Sequence, residues 1–206
     1  MANDVLVIAE HRGGNLKKIT TEAISAAKSL TGALGGEVNI AVLGSGIDSL
    51  AEELSGYGIP VSVFDDPKLE NYSYDAYCQA LVPFIEGRDY SLILLGATPT
   101  GRDLTATLSA RLKTPSAIDC TGIEFQDGQV VTTRPVFAGK AIGKFAIMAK
   151  PVLVAIRPNT FPVAEKADGG SVDKVACTIG DLKAVVKEVV QKAAGRVELT
   201  EADIVV

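Results

Sequence analysis

Apolar residues fall into two alternating patterns over the first 112 positions. Short continuous runs, DVLVIAE at 4–10, VNIAVLG at 38–44, PVSVFDD at 60–66 and YSLILLGA at 90–97, read as strands buried on both faces. Between them apolar residues return every three or four positions: Leu16, Ile19, Ala23, Ala26, Ala27, Leu30 and Leu34, then the segment 48–58, then Tyr74, Tyr77, Leu81, Phe84 and Ile85, then Leu104, Leu108 and Leu112. This is the stripe of a helix lying on a sheet. Asn15 is the expected cap of the first helix, Gly35 and Gly36 its left-handed exit, Gly56 and Gly58 the end of the second, and Ser73 the start of the third, which Pro83 should bend or break. Strands alternating with amphipathic helices predict right-handed crossovers, and so an α/β fold: a doubly wound, mostly parallel sheet with helices on both faces.

The pattern changes after residue 115. CTGIEFQDGQVVTTRPVF, 120–137, places two extended runs around Asp127-Gly128, a dipeptide suited to a type I′ hairpin turn, and KFAIMA and PVLVAIRP add strands. Antiparallel additions in the second half are therefore expected, with Arg134-Pro135 where a ladder ends. The polar stretch 161–176 reads as an exposed connection. DLKAVVKEVVQKAA, 181–194, reads as an amphipathic helix with Leu182, Val185, Val186, Val189 and Val190 inward and Lys183 and Lys187 in solvent. The closing EADIVV, 201–206, looks like a strand separated from its continuation.

Composition removes several function classes. The chain has 206 residues, 47% of them hydrophobic, enough for one substantial core. No apolar run approaches the roughly 18–20 residues of a membrane span, and the opening lacks a secretory signal, so a cytoplasmic or mitochondrial-matrix protein is expected. Net charge is −5 and Lys and Arg are scattered, which argues against nucleic acid. Cys78, Cys120 and Cys177 are widely spaced and read as buried thiols, and a single histidine leaves no metal-ligand spacing.

The candidate chemistry lies at strand ends. Gly44 and Gly46, with Gly96, Thr98, Gly101 and Arg102, occupy the turns where backbone N–H groups of a following helix can take an adenylate or another anion. Neither turn has the full glycine spacing of a phosphate loop, and Thr100 with Asp103 three positions later could instead cap the helix internally. A vestigial pocket is the favoured reading. His11 beside Glu10 has no recognisable nucleophile and reads as a loop histidine; Asp65-Asp66 reads as a solvated strand end. No catalytic residue is assigned.

The segments VLVIAEHRGGNL, LILLGATPTGRDLTATLSARL, RPVFAGKAIGKF and VELTEADIVV, in this order, resemble the amino-terminal domain of the electron-transfer flavoprotein alpha subunit over essentially the whole chain. The resemblance implies an adenine-nucleotide alpha-hydrolase-like fold for residues 1–195, with 196–206 leading into an FAD-binding domain whose motifs are absent here. It implies a beta-subunit partner, an AMP site in that partner, and FAD in the complete protein, which would take electrons from donors such as acyl-CoA dehydrogenases and pass them to a quinone-linked or flavoprotein acceptor. Thr105-Ala106-Thr107 and Lys140 depart from the family's usual Pro-Arg and Asn, so contacts near the turn and hairpin do not transfer directly. Strands 129–157 are the candidate inter-subunit surface. The alternative is a free-standing adenine-nucleotide module of the universal-stress or ATP-pyrophosphatase-like class; a hydrolase using His11 is a third and weaker reading.

Overall fold

The computed structural model describes residues 3–189. Its order is β1 (Asp4–Ile8), β2 (His11–Arg12), β3 (Asn15–Leu16), α1 (Lys18–Leu34), β4 (Val38–Gly44), α2 (Asp48–Ser55), β5 (Val61–Asp65), α3 (Tyr74–Glu86), β6 (Tyr90–Gly96), α4 (Pro99–Leu112), β7 (Ser116–Cys120), β8 (Gly122–Gln126), β9 (Gln129–Val136), β10 (Ala141–Ile147), β11 (Val152–Ile156) and β12 (Val172–Lys174). Seven strands form one parallel sheet, β12-β5-β4-β1-β6-β11-β7, and β8, β9 and β10 form a separate antiparallel sheet.

Side-chain alternation divides the core in two. Val5 and Val7 of β1, Leu92 and Leu94 of β6, and Val152 and Val154 of β11 face α1 and α2. Leu6 and Ile8, Ile93 and Leu95, and Leu153 face α3 and α4. Strands buried on both faces explain why these runs are continuously apolar. The antiparallel sheet covers α1 from outside through Ile123, Phe125, Val130 and Ile147. Asp127 and Gly128 both have positive φ, 53° and 77°, closing the β8–β9 hairpin as a two-residue turn. Pro135 lies beyond Thr133, the last β9 residue paired with β8, where its missing N–H breaks no ladder.

Several local expectations change. Helix α1 starts from Lys17; the Asn15 side chain bonds the Gly13 carbonyl within the β2–β3 ribbon instead of capping it. Helix α3 runs through Pro83 to Glu86, because that proline is on the solvent face within the last turn, where water can reach the carbonyl it releases. Cys177 is half-buried, unlike the interior Cys78 and Cys120. Strand β11 is a parallel, fully buried member of the main sheet, so the second half supplies more than antiparallel additions.

Two larger differences involve segments beyond residue 160. The supposed connection at 161–176 contains β12, an exposed strand that covers the edge of β5. Its Val-Asp-Lys sequence has no apolar face, as suits an edge strand in water. Residues 181–189 do not form the expected helix, and Val185, Val186 and Val189 are exposed rather than inward. Side chains of α3 hold the backbone of this stretch: Asp75 Oδ2 accepts from Lys183 N at 3.2 Å, and Gln79 Oε1 accepts from Gly180 N at 2.7 Å. Lys68 Nζ donates to the Ile179 and Gly180 carbonyls at 2.7 and 2.9 Å. The rest of that predicted helix, the 195/196 boundary and the closing EADIVV lie outside the described residues.

Candidate functional site

The order of the main sheet reverses between β1 and β6, and the turns after β1, β4 and β6 gather at that switch point, where doubly wound sheets take ligands. The structure brings Gly44, Gly46, Gly96, Thr98, Gly101 and Arg102 to this edge, but each already has an internal role. A Cβ on Gly44 would crowd Ile47 Cγ2 and the His11 ring, one on Gly96 would strike Ile19, and one on Gly101 would strike the Gly96 carbonyl oxygen. Gly46, at φ 64°, donates its N–H to Asp65 Oδ1 at 2.8 Å. Asp66 caps the short 3-10 turn Pro67–Leu69 through Lys68 N, so both aspartates at this strand end accept backbone N–H groups.

Helix α4 begins earlier than Thr100. Pro99, pre-set in φ and lacking an N–H, takes the first helical position, and Thr98 is the cap, accepting from Gly101 N at 3.0 Å. Asp103, displaced into the second turn, accepts from the Tyr72 hydroxyl at 2.6 Å. Burial, with this carboxylate beside it, pushes the Tyr72 phenol well above its usual range. Thr98 Oγ1 donates in turn to Glu10 Oε2 at 2.6 Å, placing a carboxylate at the mouth of the α4 amino terminus.

His11 is half-buried rather than a free loop residue. Its Nε2 is 2.8 Å from the Leu43 carbonyl, which can only accept, so Nε2 carries the proton; Nδ1 is buried without a hydrogen-bond partner. Among the described residues no group of three His, Cys, Asp or Glu is arranged to hold a metal ion. No described helix is long and apolar enough to cross a membrane.

A second constellation lies further along the same edge, at the ends of β7 and β11. Asp119, at φ 67°, accepts from Arg157 Nε and a terminal nitrogen at 2.9 and 2.6 Å, and Arg102 approaches the same carboxylate at 3.3 Å. The Arg157 hydrogen bonds, reinforced by the nearby charges of Arg102 and Arg134, hold the Asp119 carboxyl below its ordinary range despite partial burial. With Pro135, Val136, Phe137, Ala138 and Gly139, the residues Asp119, Arg134 and Arg157 line a cleft of about 530 Å³. Of this group the sequence offered only Arg102 as a site residue, Arg134 being read as a ladder end. The available signal was the repeated Arg-Pro dipeptide, 134–135 and 157–158, each at the end of an extended run.

Residues 5–179 match the family model described as the electron transfer flavoprotein domain. The chain belongs to the electron transfer flavoprotein family. It is 36% identical over 209 residues to electron transfer flavoprotein subunit alpha of Bacillus subtilis, covering 100% of this chain and 64% of the relative. It is 37% identical over 203 residues to subunit alpha of Syntrophomonas wolfei, covering 97% and 63%. A third relative, subunit LctC of the lactate dehydrogenase (NAD(+),ferredoxin) of Acetobacterium woodii, is 31% identical over 209 residues, covering 98% and 50%. The chain thus spans between half and somewhat less than two thirds of the length of these relatives, two of which are alpha subunits.

Proposed function

We propose that this chain is the amino-terminal platform of an electron-transfer flavoprotein alpha subunit: it packs against a beta subunit and positions a flavin-binding domain, without converting a substrate itself. The complete protein would carry electrons on FAD from dehydrogenases such as the acyl-CoA class to a quinone-linked or other flavoprotein acceptor, in a cytoplasm or mitochondrial matrix. AMP, where present, would belong to the beta subunit.

The observation that carries this reading is a series of exposed apolar side chains spread along the β9–β10 hairpin of the antiparallel sheet. Phe137 at the β9–β10 turn, Ile142 on β10 and Met148 just beyond its far end are 79%, 73% and 82% exposed, and Phe145, on the opposite face of β10 from Ile142, is 47% exposed. Several large apolar side chains left in water on one three-stranded sheet mark it as an interaction surface. The candidate surface narrows accordingly to 129–148, since β11 within the wider span 129–157 is buried core.

The switch-point turn supports a platform too. The N–H groups of Gly46 and Gly101 are taken by Asp65 and Thr98, and the Glu10 carboxylate faces the position a phosphate would need. These residues do not fit the pyrophosphate of FAD.

The test is co-expression with the cognate beta subunit. The expected result is a stoichiometric complex for the parent chain and its loss in Phe137→Asp and Met148→Asp with melting temperature retained. A complex untouched by both substitutions would displace the proposed surface; no complex at all would overturn the pairing. Nucleotide binding to the chain that is abolished by filling the Gly46 turn would favour the adenine-nucleotide module instead.

A further inference from the structure

The cleft around Asp119 has an electrostatic imbalance that the platform role does not use. Arg102, Arg134 and Arg157 surround one carboxylate, so three guanidiniums against one aspartate leave two positive charges uncompensated within the group. Arg157 is committed to Asp119 by a two-pronged contact, and Arg102 is held by the Ala97 carbonyl at 2.8 Å as well as by Asp119. Arg134 differs: its Nε is buried and has no hydrogen-bond partner. A buried guanidinium N–H without an acceptor is costly to maintain, and an oxyanion is the ligand that would satisfy it.

Backbone placement adds to the case. Asp119 and Arg157 lie at the carboxyl ends of the adjacent parallel strands β7 and β11, tied by Arg157 N donating to Cys120 O at 2.8 Å. Arg102 is in the first turn of α4. The cleft is walled on its other side by the β9–β10 turn, where Phe137, Ala138 and Gly139 all have positive φ. A Phe ring and small apolar groups therefore stand beside the guanidiniums, in a space larger than a bare phosphate requires.

We propose that this cleft is a binding site for a phosphate monoester, with the phosphate on Arg134, the organic part beside Phe137, and Arg102 adding its charge from behind Asp119. Charge selects the class: a phosphate monoester carries about −1.5 to −2 at neutral pH, matching the surplus, whereas a carboxylate would leave one charge unmet. Arg157 compensates the charge of Asp119 at the cleft wall. The site uses neither Gly46 nor Thr98 of the switch-point turn, and because its Phe137 wall also belongs to the surface proposed for the beta subunit, it is tested on the chain without that partner.

The experiment is an amide-shift titration of the 206-residue chain with phenyl phosphate, benzoate and inorganic phosphate at physiological salt. The expected result is saturable shifts of residues 102, 119, 134 and 137–139 with phenyl phosphate. Affinity for phenyl phosphate should be at least about tenfold above that for benzoate, the discrimination expected when one of two cationic partners is left unmet. Arg134→Gln and Arg102→Gln should each weaken it about tenfold with a dispersed spectrum retained, while Thr98→Ala leaves it unchanged. Equal binding of benzoate, non-saturating shifts spread over surface lysines, or binding insensitive to both arginine substitutions would overturn the proposal. So would silence toward all three probes, and if Arg134→Gln then weakened the beta-subunit complex, the arginines would belong to that interface.

Discussion

Thr98 Oγ1 donates a 2.6 Å hydrogen bond to Glu10 Oε2 while accepting from Gly101 N, joining the carboxyl end of β1 to the start of α4 through one hydroxyl. The residue that would greet a phosphate in a nucleotide-binding relative of this topology here closes the turn on itself. Thr98→Ala should lower unfolding free energy by about 1–2 kcal/mol, the usual range for a lost helix cap, and Thr98→Ser should restore most of it. Urea denaturation of the three proteins measures this. Equal stability of all three would show that the hydroxyl holds nothing.

The glycines of the turns should separate by cause. Gly101→Ala drives a methyl group into the Gly96 backbone, which cannot rotate away, so a loss of about 3 kcal/mol is expected. Gly46 has open space around its Cβ position and only its φ of 64° to defend, so Gly46→Ala should cost roughly 1–2 kcal/mol. Denaturation midpoints would reveal the order, and the reverse order would contradict this account of close packing between α4 and β6.

Asp119 gives the fold a pH dependence of definite sign. Its folded-state carboxyl lies below the ordinary value because of Arg157, so it binds fewer protons folded than unfolded. The stability it contributes is complete above the unfolded carboxylate value of about 4 and is lost as pH falls from there through the folded value. The difference in unfolding free energy between the parent and Asp119→Asn should be larger at pH 7 than at pH 3. Asparagine tolerates the left-handed backbone at this position, so the comparison reads charge rather than strain. A difference that does not change with pH would remove the ion pair from the account.

Thiol reactivity should follow burial. The Cys78 and Cys120 thiols are each pushed up to about 11 by desolvation, and both are interior. Cys177 is half-buried, and its thiol is raised chiefly by burial, with Asp66 and Asp65 adding to it. Mass spectrometry after iodoacetamide treatment at pH 7.5 should find Cys177 modified first and slowly, with the other two protected until denaturant is added. Early modification of Cys120 would mean that the antiparallel sheet opens readily from the main one.

Elements whose stability comes from two-sided burial were legible in the chain. Val5 through Ile8 and Leu92 through Leu95 must be continuously apolar because neither face of the sheet meets water, and the stripe of α1 follows from the surface it covers. The Asp127-Gly128 turn was legible because its positive φ angles restrict the residues that fit. Where a segment's partner lies elsewhere in the chain, the local pattern misled. Val185 and Val189 have helical spacing, yet the backbone of 180–183 is claimed by Asp75, Gln79 and Lys68, residues more than a hundred positions away. Strand β12 carries no pattern because it pairs by main chain and faces water.

The sequence by itself determined the layered α/β class, the parallel crossovers and the family, because these rest on periodic burial and on motifs contiguous in the chain. Only the tertiary structure decided that Thr98 rather than Thr100 begins α4 and that Glu10 closes the switch-point turn. It alone brought Arg102, Arg134 and Arg157 around the carboxylate of Asp119. Those residues come from a helix start, two strand ends and a hairpin, and electrostatic coupling depends on distance through space, which no spacing along the chain encodes.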